Sequence, residues 1–279
     1  MKGMNMKNIY TFGRKSAQRN FTVKDLQDLK GSGKRLTMCN PANEDEIRAC
    51  VEAGIDTLTV WDRDIDLARE LAPTHFVGSA MGWGQFITHD EILRHAMGQM
   101  EAGADMYFTN RSLPVVEMLA REGIPVQVHM GLVPTFSHWR GGLKAYGRTS
   151  QEAMELYRTF KSYEDAGAFA CEIECVAEDT LNLLNDKTSI VTISLGSGNA
   201  GDVIFLFMAD ICGEDPNAPR HAHAFRDLGA LHRKVYAERV AALQEFNSEV
   251  HGKAFPYPAQ SITMREGELE KLHETLDKK

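Results

Sequence analysis

Residues 170–176 read Ala-Cys-Glu-Ile-Glu-Cys-Val and place two carboxylates, Glu172 and Glu174, two positions apart. The stretch follows a helical run that ends in Ala-Gly-Ala, which predicts a short strand. Side chains two apart share one face of a strand, so one face holds both acids and the other holds Cys171, Ile173 and Cys175. Paired acids of this kind can take and return protons, and one member's pKa rises when both are buried. A cation such as Arg63 could pair with them. Other groups could join in the chemistry. "WDRDID" offers Asp62, Arg63 and Asp64. Asp62 suits a metal or substrate contact, or a helix N-cap, and Asp64 suits the cap. His129 is either a hydrogen-bonded core histidine or a substrate contact. "SLGSGNAGD" has the pattern of a backbone nest for an anion, or of a plain turn. His221 and His223 lack an obvious third ligand, which argues against a metal pair.

These groups must be positioned by something, and one pattern recurs along the chain. An amphipathic helical run ends at Gly and a short apolar run follows, as in "IRACVEAGIDTLTV", "EMLAREGIPVQVHM" and "YEDAGAFACEIECV". Gly stops the helix, and near-continuous apolar runs suit parallel strands covered on both faces. The predicted strands lie near 36–38, 57–61, 75–79, 105–109, 126–130, 170–175, 190–194 and 203–207. The clearest helices are 44–53, 90–101, 113–122, 150–166 and 177–185. Eight βα repeats predict a (β/α)8 TIM barrel. An open doubly wound sheet would need a phosphate fingerprint near its first strand, and "MCNPANED" is not one. The expected plan is one domain over 1–279, with an N-terminal helical cap at 1–35, the barrel at 36–213 and a helical tail at 214–279.

A chain of 279 residues with 43% hydrophobic and 25% charged residues reads as an ordinary soluble globular protein. Its net charge of −8 argues against nucleic acid as a partner. No run is apolar enough to span a membrane, and "MKGMNMKNIY" has no apolar run after its lysines to make a secretory signal. Five cysteines without CxxC spacing read as reduced thiols of a cytoplasmic protein. By the barrel rule, catalytic side chains sit at the C-terminal ends of strands and in the loops after them. That rule selects Asp62, His129 and Glu174, together with the long polar loop "GLVPTFSHWRGGLKAYGRT". Its aromatic and arginine content suits an ordered lid.

At "GIPVQVHMGLVPTFSHWRGGLKAYGRTSQEA" the chain resembles the ketopantoate hydroxymethyltransferase (3-methyl-2-oxobutanoate hydroxymethyltransferase) family of the phosphoenolpyruvate/pyruvate barrel superfamily. His129, Gly131, Leu132, Pro134, Gly141, Gly142, Gly147 and Arg148 match its motifs. "YEDAGAFACEIECVAEDT" is similar to E-x-A-G-A-x-x-x-V-L-E-C-V-P, and "TISLGSGNAGDVIFLFMADICG" to the family's glycine-rich segment. "YPAQSI" is similar to its closing motif. The likeness runs from about residue 25 to 262 and is most specific over 123–213.

The resemblance implies transfer of a one-carbon unit from methylenetetrahydrofolate to a small branched 2-oxo acid through an enolate, in a homo-oligomer. It implies a magnesium ion on two aspartates, with Asp62 at the first position. Glu174 falls on the catalytic base, and His129 on the substrate-contacting histidine. Several positions depart from the pattern. Arg63 replaces a serine, and Ala80 or its neighbours stand where the second aspartate belongs. Phe108 replaces a lysine and Asn110 a glutamate. The loop after Asp62 is shorter, and Glu172 stands where the family has an apolar residue. Roughly half the family's catalytic set is thus absent, and Arg63, Glu172 and Asn110 are expected to contact substrate with His129. The reading is a divergent enzyme that makes or breaks a C–C bond beside a 2-oxo acid carbonyl. Its alternatives are superfamily lyase, decarboxylase or hydrolase chemistry, or a non-catalytic barrel that binds a small carboxylate or acts as a scaffold.

Overall fold

The computed structural model describes residues 6–82 and 84–277. The first five residues of the N-terminal segment, Trp83 and the last two residues of the charged C-terminal segment lie outside them. Two compact units divide between Arg226 and Asp227.

The first unit opens with an antiparallel hairpin, β1 (Lys7–Tyr10) and β2 (Ser16–Arg19), where only a helical cap was expected. Helix α1 (Val23–Gln27) follows, closed by a Thr22–Asp25 capping box. Eight parallel strands then form a closed barrel: β3 (Leu36–Asn40), β4 (Thr57–Trp61), β5 (Phe76–Ala80), β6 (Met106–Phe108), β7 (Val126–Gly131), β8 (Ala170–Glu174), β9 (Val191–Leu195) and β10 (Val203–Phe207). Between and after them run α2 (Glu44–Ala53), α3 (Ile65–Leu71), α4 (His89–Ala102), α5 (Leu113–Arg121), α6 (Ser150–Asp165), α7 (Glu178–Asn185) and α8 (Met208–Cys212). Sequential strands are neighbours, and β10 closes on β3. All five cysteines are free.

Strand alternation sorts the core into two layers. Cys39, Leu58, Val60, Val77, Tyr107, Val128, Cys171 and Ile173 pack outward against the helices. Leu36, Met38, Phe76, Met106, Ala170, Val191, Ile193 and Phe205 cluster with Leu26 and Leu29 instead. The α1 region therefore seals the end at which the strands begin. The other end stays open, with Trp61 and Phe207 each 40% exposed at the strand termini. An ion network braces the sealed end. Asp105 takes Arg19 Nε at 2.8 Å and an Arg69 guanidinium nitrogen at 2.8 Å, and it accepts the Val77 N–H at 2.9 Å. Removing one partner of so buried a set costs about 3–5 kcal/mol.

The second unit holds α9 (Leu228–His251) and α10 (Glu268–Leu276). Leu231, Val235, Tyr236, Leu243, Phe246 and Val250 of α9 are exposed. Among the described residues no helix is long and apolar enough to cross a membrane.

His75, just before β5, is buried, and its burial and the neighbouring Arg69 charge hold its pKa below the ordinary 6.5. The folded imidazole is neutral where the unfolded one gains a proton. Its contribution to stability is present above 6.5 and is lost as pH falls through the lowered folded value, with a limiting slope of about 1.4 kcal/mol per pH unit. Urea unfolding between about pH 7.5 and 5 should show this acid loss in the wild type. It should be shallower in His75→Gln, and equal slopes would refute the assignment.

Candidate active site

The register of two strands builds the site. β7 and β8 pair so that His129 lies beside Glu172 and Gly131 beside Glu174. Gln127, His129 and Gly131 share the inward parity of β7, while Val126, Val128 and Met130 join the outer layers. On β8, Cys171 and Ile173 take the outward face, which turns Glu172 and Glu174 into the barrel. His129 Nε2 stands 3.0 Å from Glu174 Oε2 and 3.6 Å from Glu172 Oε1. The Gln127 amide donates to Glu172 at 3.4 Å. Gln127 Oε1 is buried without a partner. The carboxyl side chains are 10% exposed for Glu172 and 13% for Glu174, with Glu174 at the open end.

Burial pushes the Glu172 carboxyl above its ordinary pKa, and the Glu174 charge adds to this against the opposing pull of His129. Burial alone would lower His129, but the two carboxylates more than reverse it and its pKa is raised. His129 and Glu172 thus each hold a proton more tightly than they would in water. One ligand atom from each of His129, Glu172 and Glu174 lies within 4.8 Å of the others, a donor set that could hold a divalent ion.

The other sequence candidates fall elsewhere. Asp62 begins the turn after β4 and is not among the three converging donors. Its Oδ2 lies 3.2 Å from His95 Nε2 on α4, and its Oδ1 accepts the Arg63 N–H at 2.9 Å. His95 Nδ1 meets the Tyr107 hydroxyl at 2.7 Å and its ring stacks on Phe86. The sequence reading missed His95 because it is one polar residue on a helix face. A Thr88–Glu91 capping box fixes where α4 begins, and so where His95 points. The inward reach expected of Arg63 is corrected. Its side chain is 74% exposed, 3.6 Å from Asp64, and the cation beside Glu172 is His129. Asp64 occupies the N-cap of α3 without a side-chain cap bond. Asn110 lines an outer cleft with Ile87, Arg111 and Phe136 rather than standing with the acids. Phe108 packs its ring 5.8 Å from His129, and Ala80 ends β5 at the mouth. His221 turns to Cys175 at 3.4 Å while His223 packs edge-on against Phe225, so the two histidines do not converge.

The long polar segment after β7 is ordered. Arg140 donates to the Gly131 carbonyl at 2.9 Å and lies 5.0 Å over the Tyr146 ring. Tyr146 donates its N–H to Cys175 and accepts from Ala177, which straps the segment beside the end of β8.

Residues 66–258 match the ketopantoate hydroxymethyltransferase family model. The 3-methyl-2-oxobutanoate hydroxymethyltransferase of Hyperthermus butylicus is 31% identical over 92% of this chain and 95% of its own. That of Desulfitobacterium hafniense is 27% identical over 90% and 98%. A solved 2,3-dimethylmalate lyase, a PEP mutase/isocitrate lyase superfamily member, shares the fold at 11% identity, with a TM-score of 0.50 over 92% of this chain and all of that one.

Gly131 lets the strap and β8 approach. Its φ is +86°, and a Cβ there would lie 2.2 Å from the Glu174 carbonyl oxygen. Gly131→Ala should therefore cost about 2–4 kcal/mol in urea unfolding, and wild-type stability would refute the packing argument.

Proposed function

The chain belongs to the ketopantoate hydroxymethyltransferase family, and on that premise we propose an enzyme that makes or breaks a C–C bond beside the carbonyl of a small 2-oxo acid. The observation that supports this is the Glu174 carboxylate, turned inward at the open end of the barrel and held by His129 at 3.0 Å. In this reading Glu174 takes the proton from the carbon next to the carbonyl. The C–H electron pair becomes the C=C bond of an enolate, and the carbonyl oxygen takes the charge. Methylenetetrahydrofolate, the donor that the family resemblance implies, would give up its carbon with one water: both C–N bonds of the methylene bridge break, tetrahydrofolate leaves, and the carbon keeps the water oxygen at the formaldehyde level. The enolate carbon then bonds to that carbon, its C=O pair moves to oxygen, and the alkoxide takes the proton back from Glu174 as the hydroxyl. His129 orients Glu174 and balances its charge, and Glu172 beneath fixes the imidazole. The substrate is of the 3-methyl-2-oxobutanoate class named for the relatives. The homo-oligomer implied by the resemblance would bury the apolar stripe of α9.

Magnesium on Asp62 does not fit the residues present. Asp62 Oδ2 lies 3.2 Å from His95 Nε2 but has no hydrogen-bond partner among the described residues, and Ala80 offers no second carboxylate to complete a two-aspartate set.

A second reading is favoured by the three donor atoms around His129 and by the unpartnered Gln127 Oε1. In it His129, Glu172 and Glu174 hold a divalent ion, which would supply Lewis-acid polarisation of the carbonyl oxygen. Glu174 is then a ligand rather than the base. An imidazole nitrogen among the donors suits zinc or another first-row transition ion better than magnesium.

Two measurements separate these readings. Wild-type protein should exchange deuterium into the carbon beside the carbonyl of 3-methyl-2-oxobutanoate. Glu174→Gln should slow this by about 100-fold or more with the fold intact. Unchanged exchange would remove Glu174 as the base, and none in the wild type would leave a non-catalytic barrel. Calorimetric titration of chelator-treated protein with zinc, manganese and magnesium tests the second reading. It expects one tight site that is lost in Glu172→Gln, and an absence of binding rejects it.

A further inference from the structure

Beyond Glu174 the same end of the barrel opens into a cavity of about 670 Å³ at the ends of β8 and β9. Its walls include Arg148, Arg220, His221, Cys175, Gly196 and Gly198. Among the described residues neither guanidinium has a carboxylate partner. The loop after β9 takes left-handed backbone at Gly196 and Gly198, with φ of +67° and +83°. A Cβ at Gly196 would lie 2.6 Å from the His221 ring, so the imidazole is seated directly on the loop. The N–H groups of Gly196, Ser197 and Gly198 have no hydrogen bond to described residues. One carboxylate, Glu178, also lines the cavity, and its Oε1 accepts the Asn199 N–H at 3.3 Å.

We propose that this cavity is an oxyanion-binding subsite. Arg148, Arg220, His221 and the Gly196–Gly198 peptide N–H groups would take a phosphate or carboxylate group of a ligand. Three features converge on that chemistry. Guanidinium groups match oxyanions with paired donors. Successive free N–H groups in left-handed turns form an anion-binding concavity. Loops at this end of a parallel barrel, after its seventh strand, are a recurrent place for phosphate. The cavity exceeds what a small 2-oxo acid fills. The subsite does not depend on whether Glu174 is a base or a metal ligand.

The test uses the full chain, with inorganic phosphate and succinate as separate probes in calorimetric titrations at low and high salt. Saturable binding of either is expected, weakened about tenfold by each of Arg148→Ala and Arg220→Ala. Arg148→Lys should retain part of it, and higher salt should weaken it. Which probe binds tells phosphate from carboxylate ligands. Glu174→Gln should bind like the wild type, so failure of the catalytic reading leaves this result standing. Both arginines are exposed on the loops, and far-ultraviolet circular dichroism will show that the variants fold. Absence of saturable binding by both probes, or binding unchanged in the double alanine variant, overturns the proposal.

Discussion

The register between β7 and β8 is the constraint on which the site depends. Parallel pairing sets His129 level with Glu172 and Gly131 level with Glu174. Because side chains alternate, one parity choice turns all of Gln127, His129, Glu172 and Glu174 inward together. A slip of one residue on β8 would send both acids among the outer helices and bring Cys171 and Ile173 into the barrel. The outer layer forbids this, since Cys171 and Ile173 are fully buried against apolar neighbours there. Core packing outside the barrel thus holds the ionisable groups inside it.

Two carboxylates in a protein interior are costly unless they are paired. The barrel meets that cost locally. His129 stands between them, Gln127 donates to the deeper one, and an apolar cluster that includes Met38, Phe76, Met106 and Phe205 fills the barrel toward the sealed end. Charge is therefore confined to one wall near the open end. Above it, Arg140 binds the Gly131 carbonyl and Tyr146 straps onto Cys175 and Ala177, which limits the movement of the segment that carries Glu174.

The helix–Gly–strand repeat made the barrel legible, because each glycine stop and each apolar run is encoded within a few residues. The shared face of Glu172 and Glu174 was legible for the same reason, as strand parity is a local property. What lay across strands was not. Nothing local tells that His129, rather than Arg63, is the cation at Glu172, since that follows from barrel closure. The hold of His95 on Asp62 joins a helix to a loop about thirty residues earlier in the chain, and no period in the sequence signals it. The N-terminal hairpin was missed because its strands, KNIY and SAQR, are short and only partly buried. Asn110 was placed by its position after a strand, but it lines a cleft with Ile87, Arg111 and Phe136.

The departures from the family pattern make physical sense together. A lysine at position 108 would face the same interior as His129 and compete with it for the carboxylates. Phe108 instead packs its ring 5.8 Å from the imidazole and leaves His129 as the cation of the cluster. Ala80 carries no charge, so Asp62, 3.2 Å from His95 Nε2, stands as a single carboxylate at the ends of β4 and β5. Glu172 adds a carboxylate on β8, one layer below Glu174. Two buried acids with one imidazole between them form a set that could hold a proton or a cation. The buried ionisable cluster therefore lies on the β7–β8 wall. The strap, the mouth and the arginine-lined cavity at the ends of β8 and β9 all adjoin that wall.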